Sequence, residues 1–96
     1  MNRDEFLKAV KADSYQIEKA DEAFKKDKEI VLAAVKGNGS VLEYVHASLK
    51  KDREVVLAAV KNGGNALEFA DKLFRKDKEI IMTALDDHYT TLTTNK

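Results

Sequence analysis

The chain repeats itself in its middle, where "DKEIVLAAVKGNGSVLEYVHASLKK" (27–51) is followed directly by "DREVVLAAVKNGGNALEFADKLFRK" (52–76). Aligned without a gap, the two stretches are identical at 12 of 25 positions. The same offset extends outward, because residues 2–26 match 27–51 at 7 of 25 positions and residues 77–96 match 52–71 at 4 of 20. An unbroken 25-residue period predicts stacked structural units, each packed on its neighbours.

Each unit is predicted to fold as two short helices that form an antiparallel hairpin. The first helix opens at an aspartate (positions 27, 52 and 77), a favoured N-cap, with glutamate two residues later at the positive end of the helix dipole. It continues through apolar residues to a lysine, and a glycine-containing turn is predicted to end it. The second helix opens with Ser40-x-x-Glu43, a capping-box pattern that Asn65-x-x-Glu68 repeats in the next unit.

Apolar residues in the second helix are spaced i, i+3, i+7, which places them on one helical face. In the three complete units they are Ile17/Ala20/Phe24, Leu42/Val45/Leu49 and Leu67/Ala70/Phe74. The predicted fold class is therefore all-α, with stacked antiparallel helical hairpins and about seven short helices. We expect one helical-repeat domain over residues 1–96.

Residues 2–26 are predicted to cap the stack, because polar side chains replace apolar ones there. They are Glu5, Lys8, Gln16 and Lys19, where the next unit has Ile30, Ala33, Val41 and Tyr44. A terminal repeat needs a polar outer face, so the first four are expected to be exposed and the second four mostly buried. By elimination, the leucine and valine of each first helix should be buried: Leu7/Val10, Leu32/Val35 and Leu57/Val60.

The last unit, 77–96, is truncated, and its apolar first helix leads into the threonine-rich "TTLTTNK", a poor helix former. Two outcomes are open. Either the tail folds back so that Leu92 covers the last helix, or an apolar strip stays available for self-association or a partner. Ile81, Met82 and Leu85 are the candidate protein-contact residues of such a strip. A fragment of a longer array would have the same open end.

The repeated unit begins with Asp-[Lys/Arg]-Glu-[Ile/Val]-Val-Leu-Ala-Ala-Val-Lys and continues with a Gly/Asn turn and Leu-Glu-[Tyr/Phe]. This motif resembles the bacterial domain-of-unknown-function family 4116. Members of that family string together similar D-x-E-hydrophobic-L-A-A-V-x-x-N-G units. The resemblance is tight over 27–76, loose over 2–26 and limited to the helix opening at 77–85. Its motif consists of caps, a small-residue helix and a glycine turn, so the resemblance implies a helical-repeat fold and brings no catalytic residues.

The composition excludes several classes of protein. Apolar residues make up 44% and charged residues 35% of the chain, and proline is absent, which is typical of a helical domain and not of a disordered or membrane-spanning chain. The longest apolar run has six residues and the N-terminus lacks the apolar segment of a signal peptide, so we expect a cytoplasmic protein without a membrane span. Because cysteine is absent, disulfides and thiol chemistry are excluded.

No catalytic, metal or cofactor site is predicted. "DDHY" (86–89) has metal-binding residue types, but adjacent residues on a helix end point in different directions and do not converge on one ion. "KGNGS" (36–40) has neither the preceding strand nor the Gly-Lys-Ser/Thr ending of a phosphate-binding loop. The serines lack a partnered His–Asp pattern, and capping explains most acidic residues. We therefore expect a protein that is not an enzyme.

Basic pairs close the complete units and suggest an alternative role in nucleic-acid binding. They are Lys25-Lys26, Lys50-Lys51 and Arg75-Lys76. Stacked one per unit, they would form a ridge, as in helical repeats that read one RNA base per unit. A formal net charge of zero and the lack of a recurring exposed aromatic disfavour nucleic acid, and favourable charge at a helix C-terminus explains the pairs.

The function predicted by exclusion is a non-enzymatic protein-interaction or scaffold module with an unknown protein partner. Stacked helical hairpins offer a repeated surface and little else that is chemically specialised. We expect a monomer in preference to a homo-oligomer.

Overall fold

A computed structural model describes residues 2–84, and within this range the chain is helical and contains no strand. The predicted fold class, all-α, is confirmed. The α-helices are α1 (Arg3–Ala12), α2 (Glu22–Lys25), α3 (Lys28–Gly37), α4 (Arg53–Lys61) and α5 (78–84). The starts of α1, α3, α4 and α5 are 25 residues apart, so each is the first helix of one sequence unit.

Aspartate caps the first helices of the later units, as the sequence predicts. Asp27 Oδ1 accepts hydrogen bonds from the backbone N–H groups of Glu29 at 3.1 Å and Ile30 at 3.3 Å. Both bonds recur at Asp52, and Asp77 Oδ1 accepts from the backbone N–H of Ile80 at 3.2 Å. In contrast, α1 opens with a capping box between Asn2 and Glu5.

The second half of each unit differs from the single short helix predicted. It begins as a 3-10 helix, breaks in an extended segment and resumes as a short helical turn. The 3-10 helices are Ser14–Lys19, Gly39–Tyr44 and Gly64–Phe69, and the turns are α2, Leu49–Lys51 and Lys72–Lys76. Each 3-10 helix ends at an extended residue: Ala20, Val45 and Ala70.

The break directs a backbone N–H toward the preceding unit. His46 donates to the carbonyl of Lys25 at 3.1 Å, and Asp71 donates to the carbonyl of Lys50 at 3.0 Å. A continuous helix would use these N–H groups internally, so the break exchanges an intrahelical bond for one that joins neighbouring units.

The predicted apolar face of the second half is largely retained, because a 3-10 helix also brings residues i and i+3 together. Ile17 and Leu42 are fully buried, although their counterpart Leu67 is only partly buried.

The predicted capping boxes at Ser40 and Asn65 are wrong. The cap of Gly39–Tyr44 is Asn38, whose side chain accepts a hydrogen bond from the backbone N–H of Ser40 at 3.0 Å. Ser40 Oγ donates to Asn65 Oδ1 of the next unit at 2.8 Å. The serine and asparagine therefore join two units.

The units stack in chain order in two layers. Helix α1 packs on α3 and α3 on α4, while the 3-10 helices of the second halves pack on one another. Helices α1 and α3 are parallel, because Arg3 pairs with the start of α3 and the last-turn residues Lys11 and Lys36 border one groove. The largest fully buried side chains are Ile17, Ile30, Leu42, Ile80, Val10, Val31, Val35, Val41, Val55, Val56 and Val60.

Glycines let adjacent units approach closely. A Cβ added to Gly39 would lie 1.9 Å from the carbonyl oxygen of Ala59, and one added to Gly37 would lie 2.2 Å from Ser14 Oγ. Ser14 is the counterpart of Gly39 in the first unit, and Asn62 is the counterpart of Gly37 in the third. Between the first and second units the glycine belongs to the second, whereas between the second and third units Gly39 faces Gly63, whose added Cβ would lie 3.3 Å from Gly39 Cα.

The exposure expected of four polar side chains in residues 2–26 is found in the structure. Its four outward polar side chains are exposed: Glu5, Lys8, Gln16 and Lys19. Among their counterparts, Ile30 and Val41 are fully buried, whereas Ala33 and Tyr44 are only partly buried.

Candidate functional site

A cation follows the cap of each first helix, and the structure pairs it with the next unit. Arg3 Nε lies 2.5 Å from Asp27 Oδ2, and Arg3 Nη2 lies 2.6 Å from Glu29 Oε1. We call the repeated contact the ion-pair ladder. Its later steps join Lys28 to Asp52 and Glu54, and Arg53 to Asp77 and Glu79.

The ladder shifts the pKa values of its cations and aspartates in the direction that keeps them charged. The hydrogen bond from Arg3 holds the pKa of Asp27 below its ordinary value, and the bond from Arg53 does the same for Asp77. Hydrogen bonds to Glu54 and then Asp52 raise the pKa of Lys28. Because each aspartate also caps a helix, the start of that helix is coupled to the preceding unit.

Sequence reasoning missed the ladder because capping alone seemed to explain its acidic residues. A detectable signal was present, since Lys or Arg stands at positions 3, 28, 53 and 78. Capping requires no cation at this position, so its recurrence indicates a contact outside the helix.

A row of apolar side chains crosses the outer surface of the first helices. We call it the leucine row: Leu7, Leu32, Leu57 and Met82, one per unit. The leucines are partly exposed and Met82 is 68% exposed, whereas Val10, Val35 and Val60 are fully buried. The predicted burial is therefore confirmed for the valines, whereas the leucines are only partly buried.

The burial of the leucines was predicted wrongly because a comparison of the first unit with the later ones identifies only the face that meets a preceding unit. A position that stays apolar in the cap can belong to the core or to an outer surface that is apolar in every unit. Leucine recurs at positions 32 and 57, whereas Ile30 is replaced by Val55 in the next unit. Nevertheless, the two leucines are less buried than Ile30 and Val55. The recurrence of leucine alone did not specify its environment.

The leucine row borders an open groove of about 500 Å³ between α1 and α3. Leu7, Leu32 and Ala33 provide its apolar lining. Charged residues of the two helices complete it: Lys11, Lys28, Glu29 and Lys36. This arrangement combines an apolar contact surface with charges at its border.

The three predicted protein-contact residues have different placements. Met82 is exposed and belongs to the leucine row, while Ile81 is partly buried. Leu85 lies outside the described residues, as does the predicted contact of Leu92. Ile81 borders a second open groove, of about 570 Å³, with Asn65, Leu67, Glu68 and Arg75.

The basic pairs proposed for nucleic acid lie at the ends of the second halves. Lys25 and Lys50 are partly buried and accept the backbone bonds that join units, whereas the other members are exposed: Lys26, Lys51, Arg75 and Lys76. Among the ion pairs of the described residues, none uses a basic-pair side chain.

Within residues 2–84, no group of three or more His, Cys, Asp or Glu side chains is arranged to hold a metal ion. His46 Nδ1 lies 2.9 Å from Ser48 Oγ, a contact between residues two apart in the chain. The "DDHY" segment lies outside the described residues. No helix in the described part of the chain has the length and apolar character needed to cross a membrane.

A family model described as "Domain of unknown function (DUF4116)" matches residues 2–50 and 52–93, nearly the whole chain. The first match spans two 25-residue sequence units, and the second begins where the third unit begins. No curated protein matches the chain, and no solved structure matches it.

Proposed function

The chain belongs to the DUF4116 family of domains of unknown function, and we propose that it is a non-enzymatic protein-interaction module that binds through the leucine row. The observation that supports this most directly is the partial exposure of the same apolar position in three successive units and its 68% exposure at Met82. Isolated apolar side chains are ordinary on protein surfaces, whereas a recurring row supplies an extended surface for a partner.

The chemistry of the row favours a partner that combines apolar and acidic residues. Apolar side chains of the partner would enter the groove beside Leu7 and Leu32. Lys11, Lys36 and Lys61 are exposed one turn beyond the leucines and would favour carboxylates at the border of the contact. Apolar contact then supplies affinity, and the charges supply orientation and association rate.

A comparison of one leucine in the row with an exposed leucine outside it tests this function. Wild type, Leu32→Glu and Leu73→Glu are used as baits in host lysate, and bound proteins are identified by mass spectrometry and then purified. Leu73 is 60% exposed and lies in Lys72–Lys76, outside the leucine row, so it is the matched control.

We expect a purified partner to bind wild type and Leu73→Glu equally, and Leu32→Glu at least about tenfold more weakly, which corresponds to about 1.4 kcal/mol. Circular dichroism must show that all three baits are folded. Equal binding by the two glutamate variants, or failure to find a partner that distinguishes them, would remove the leucine row as the binding surface.

Nucleic-acid binding is the second candidate, and exposure of Lys26, Lys51 and Lys76 favours it. A titration of mixed RNA and DNA at low salt tests it, because phosphate contacts are strongest there. Binding that weakens as salt rises and is lost when these three lysines become glutamine would support it. Absence of binding at about 50 mM salt would exclude it.

Location in the bacterial cytoplasm and a monomeric state complete the proposal. Sedimentation equilibrium of the purified protein tests the second point. One species with the mass of the monomer at all loading concentrations supports it, and a mass that rises with concentration opposes it.

A further inference from the structure

The groove between α1 and α3 has two chemically different ends. Because these helices are parallel, the residues that line the groove follow the helix axis in a fixed order. Lys28 and Glu29 lie at the start of α3, and the leucines lie at the middle of the groove. Lys11 and Lys36 lie in the last turns of α1 and α3, at the other end.

The charges at the first end are compensated by the ion-pair ladder, and those at the lysine end are not. Lys28 pairs with two carboxylates of the third unit, and Glu29 pairs with Arg3. None of the ion pairs formed within residues 2–84 uses Lys11 or Lys36. A helix C-terminus carries about half an elementary negative charge, so one lysine leaves each of these helix ends positive. The lysine end of the groove therefore attracts anionic groups.

We propose that the α1–α3 groove binds an amphipathic helix of a partner protein, antiparallel to α1 and α3, that carries Asp or Glu in its first turn. Its apolar side chains pack on Leu7, Leu32 and Ala33, and its carboxylates pair with Lys11 and Lys36. The proposal rests on the leucine-row function above and specifies the secondary structure and the direction of the partner.

The walls of the groove favour a helix over an extended peptide. The backbone N–H and C=O groups at the middle of α1 and α3 are bonded within these helices, which offer no strand edge for pairing. An extended segment would bury backbone polar groups without partners, whereas a helix satisfies its own. With ten residues, α1 is about 15 Å long, so the groove holds about three turns of a partner helix.

The positive charge at the lysine end sets the direction of the partner helix. Carboxylates are stabilised in the first turn of a helix and destabilised in the last turn. An antiparallel helix brings its first turn to Lys11 and Lys36, so the same carboxylates satisfy its own dipole and the two lysines. A parallel helix would bring only the half charge of its C-terminus to this end. Charge complementarity therefore selects the antiparallel direction.

A display library of helical peptides provides the probe. Each peptide has about 20 residues, since shorter isolated helices are marginal in water. Leucines are fixed at i, i+4 and i+7, and the positions of the first and last turns vary among Asp, Glu, Lys and Gln. Selection on the wild-type protein should enrich Asp and Glu in the first turn and not in the last. A parallel selection on the double variant Lys11→Glu, Lys36→Glu should give a weaker enrichment, which controls for acidic residues that only increase helicity.

The affinity of the most enriched peptide locates its binding site. Fluorescence polarisation should show binding to Lys11→Glu at least about tenfold weaker than to wild type, which corresponds to about 1.4 kcal/mol. Lys61→Glu is the matched control, because Lys61 is exposed in the last turn of α4 and lies outside the lining of this groove. It should bind as wild type does. Circular dichroism checks that each protein is folded and that the bound peptide is helical.

Spin labels on the peptide test its direction. This chain has no cysteine, so a nitroxide can be attached specifically to a cysteine at either end of the peptide. A label at the peptide's N-terminus should broaden the backbone amide signals of residues 11 and 36 in NMR spectra. A label at its C-terminus should broaden those of residues 28 and 29.

The proposal is overturned if no peptide is enriched, if acidic residues are not enriched in the first turn, or if the bound peptide is not helical. Equal binding to wild type and Lys11→Glu, or exchanged effects of the two labels, also overturns it. Leu32→Glu separates this result from the leucine-row function. If Leu32→Glu weakens peptide binding and Lys11→Glu does not, the leucine row stands without the acidic helix. Binding that Leu32→Glu leaves unchanged counts against both.

Discussion

Residues 2–26 and 27–51 have closely related backbones and opposite edges. Both contain a ten-residue α-helix followed by a six-residue 3-10 helix and a short turn. In the second unit, Ile30 and Val41 are fully buried against neighbouring residues, whereas Glu5 and Gln16 at the same positions of the first unit are exposed. The same edge is therefore buried in the second unit and exposed in the first.

Exchanging one residue between these edges should give the largest change in the free energy of unfolding. Ile30→Glu places a carboxylate at a position with 0% exposure, and we expect it to lower the free energy of unfolding by about 4 kcal/mol or to prevent folding. Glu5→Ile, the reverse exchange at an exposed position, should leave unfolding nearly unchanged. Urea denaturation followed by circular dichroism measures both, and equal losses of stability would contradict the distinction between the edges.

A substitution that disturbs the close packing between units should give the next largest change in the free energy of unfolding. Gly39→Ala places a Cβ against the backbone carbonyl of Ala59, and we expect a loss of about 3 kcal/mol. Gly37→Ala is the matched control, because its added Cβ meets the hydroxyl of Ser14, which can rotate. It should lose less stability in the same urea experiment. A Gly39→Ala protein as stable as wild type would contradict the close approach of the second and third units.

Removing the first step of the ion-pair ladder should give the smallest change in stability. Arg3→Gln removes a solvent-exposed cation, so its effect on the urea midpoint at pH 7 should be smaller than that of either substitution above. The folded-state pKa of Asp27 lies below its unfolded value. Its contribution to stability is therefore present above the unfolded pKa of about 4 and is lost as pH falls through the folded value.

Urea midpoints from pH 7 to pH 2 test that sign. The difference between wild type and Arg3→Gln should be constant above about pH 5 and shrink toward zero in acid. Lys26→Gln, at an exposed cation outside the ladder, should show a smaller dependence on pH. A difference between wild type and Arg3→Gln that grows in acid would have the wrong sign for the ladder.

Much of the fold was predictable because the repeat aligns equivalent positions. Asp27 identified a helix start, and the exchange of Ile30 for Glu5 identified an edge of the first unit that is exposed. The 3-10 character of the second half was not predictable from its apolar spacing, since residues i and i+3 share a face in both helix types. The exposure of Leu32 also depends on tertiary packing, because an apolar residue at a fixed helical position can face either the core or an outer groove.

The ladder could have been predicted from the cations that recur beside the caps, although its target could not. Arg3 bonds to residues of the next unit and not of its own helix, a choice that depends on how the parallel helices are offset. For the candidate site, Met82 was identified without the row that it shares with Leu57. The repeat gives the register of such a row, and the structure adds its exposure.

A variant carrying Asn2→Asp, Asp4→Glu, Glu5→Ile and Lys8→Ala, which copy the residues at the same positions of the second unit, is termed the interior-edge variant. Its sedimentation equilibrium tests most directly the central claim that edge residues decide whether a unit accepts a neighbour. The account predicts a wild-type monomer and a folded variant whose mean mass rises with concentration, because head-to-tail contacts that do not close form open oligomers. Adding Lys78→Glu should return the variant to a monomer. A folded interior-edge variant that stays monomeric at every concentration would contradict the account.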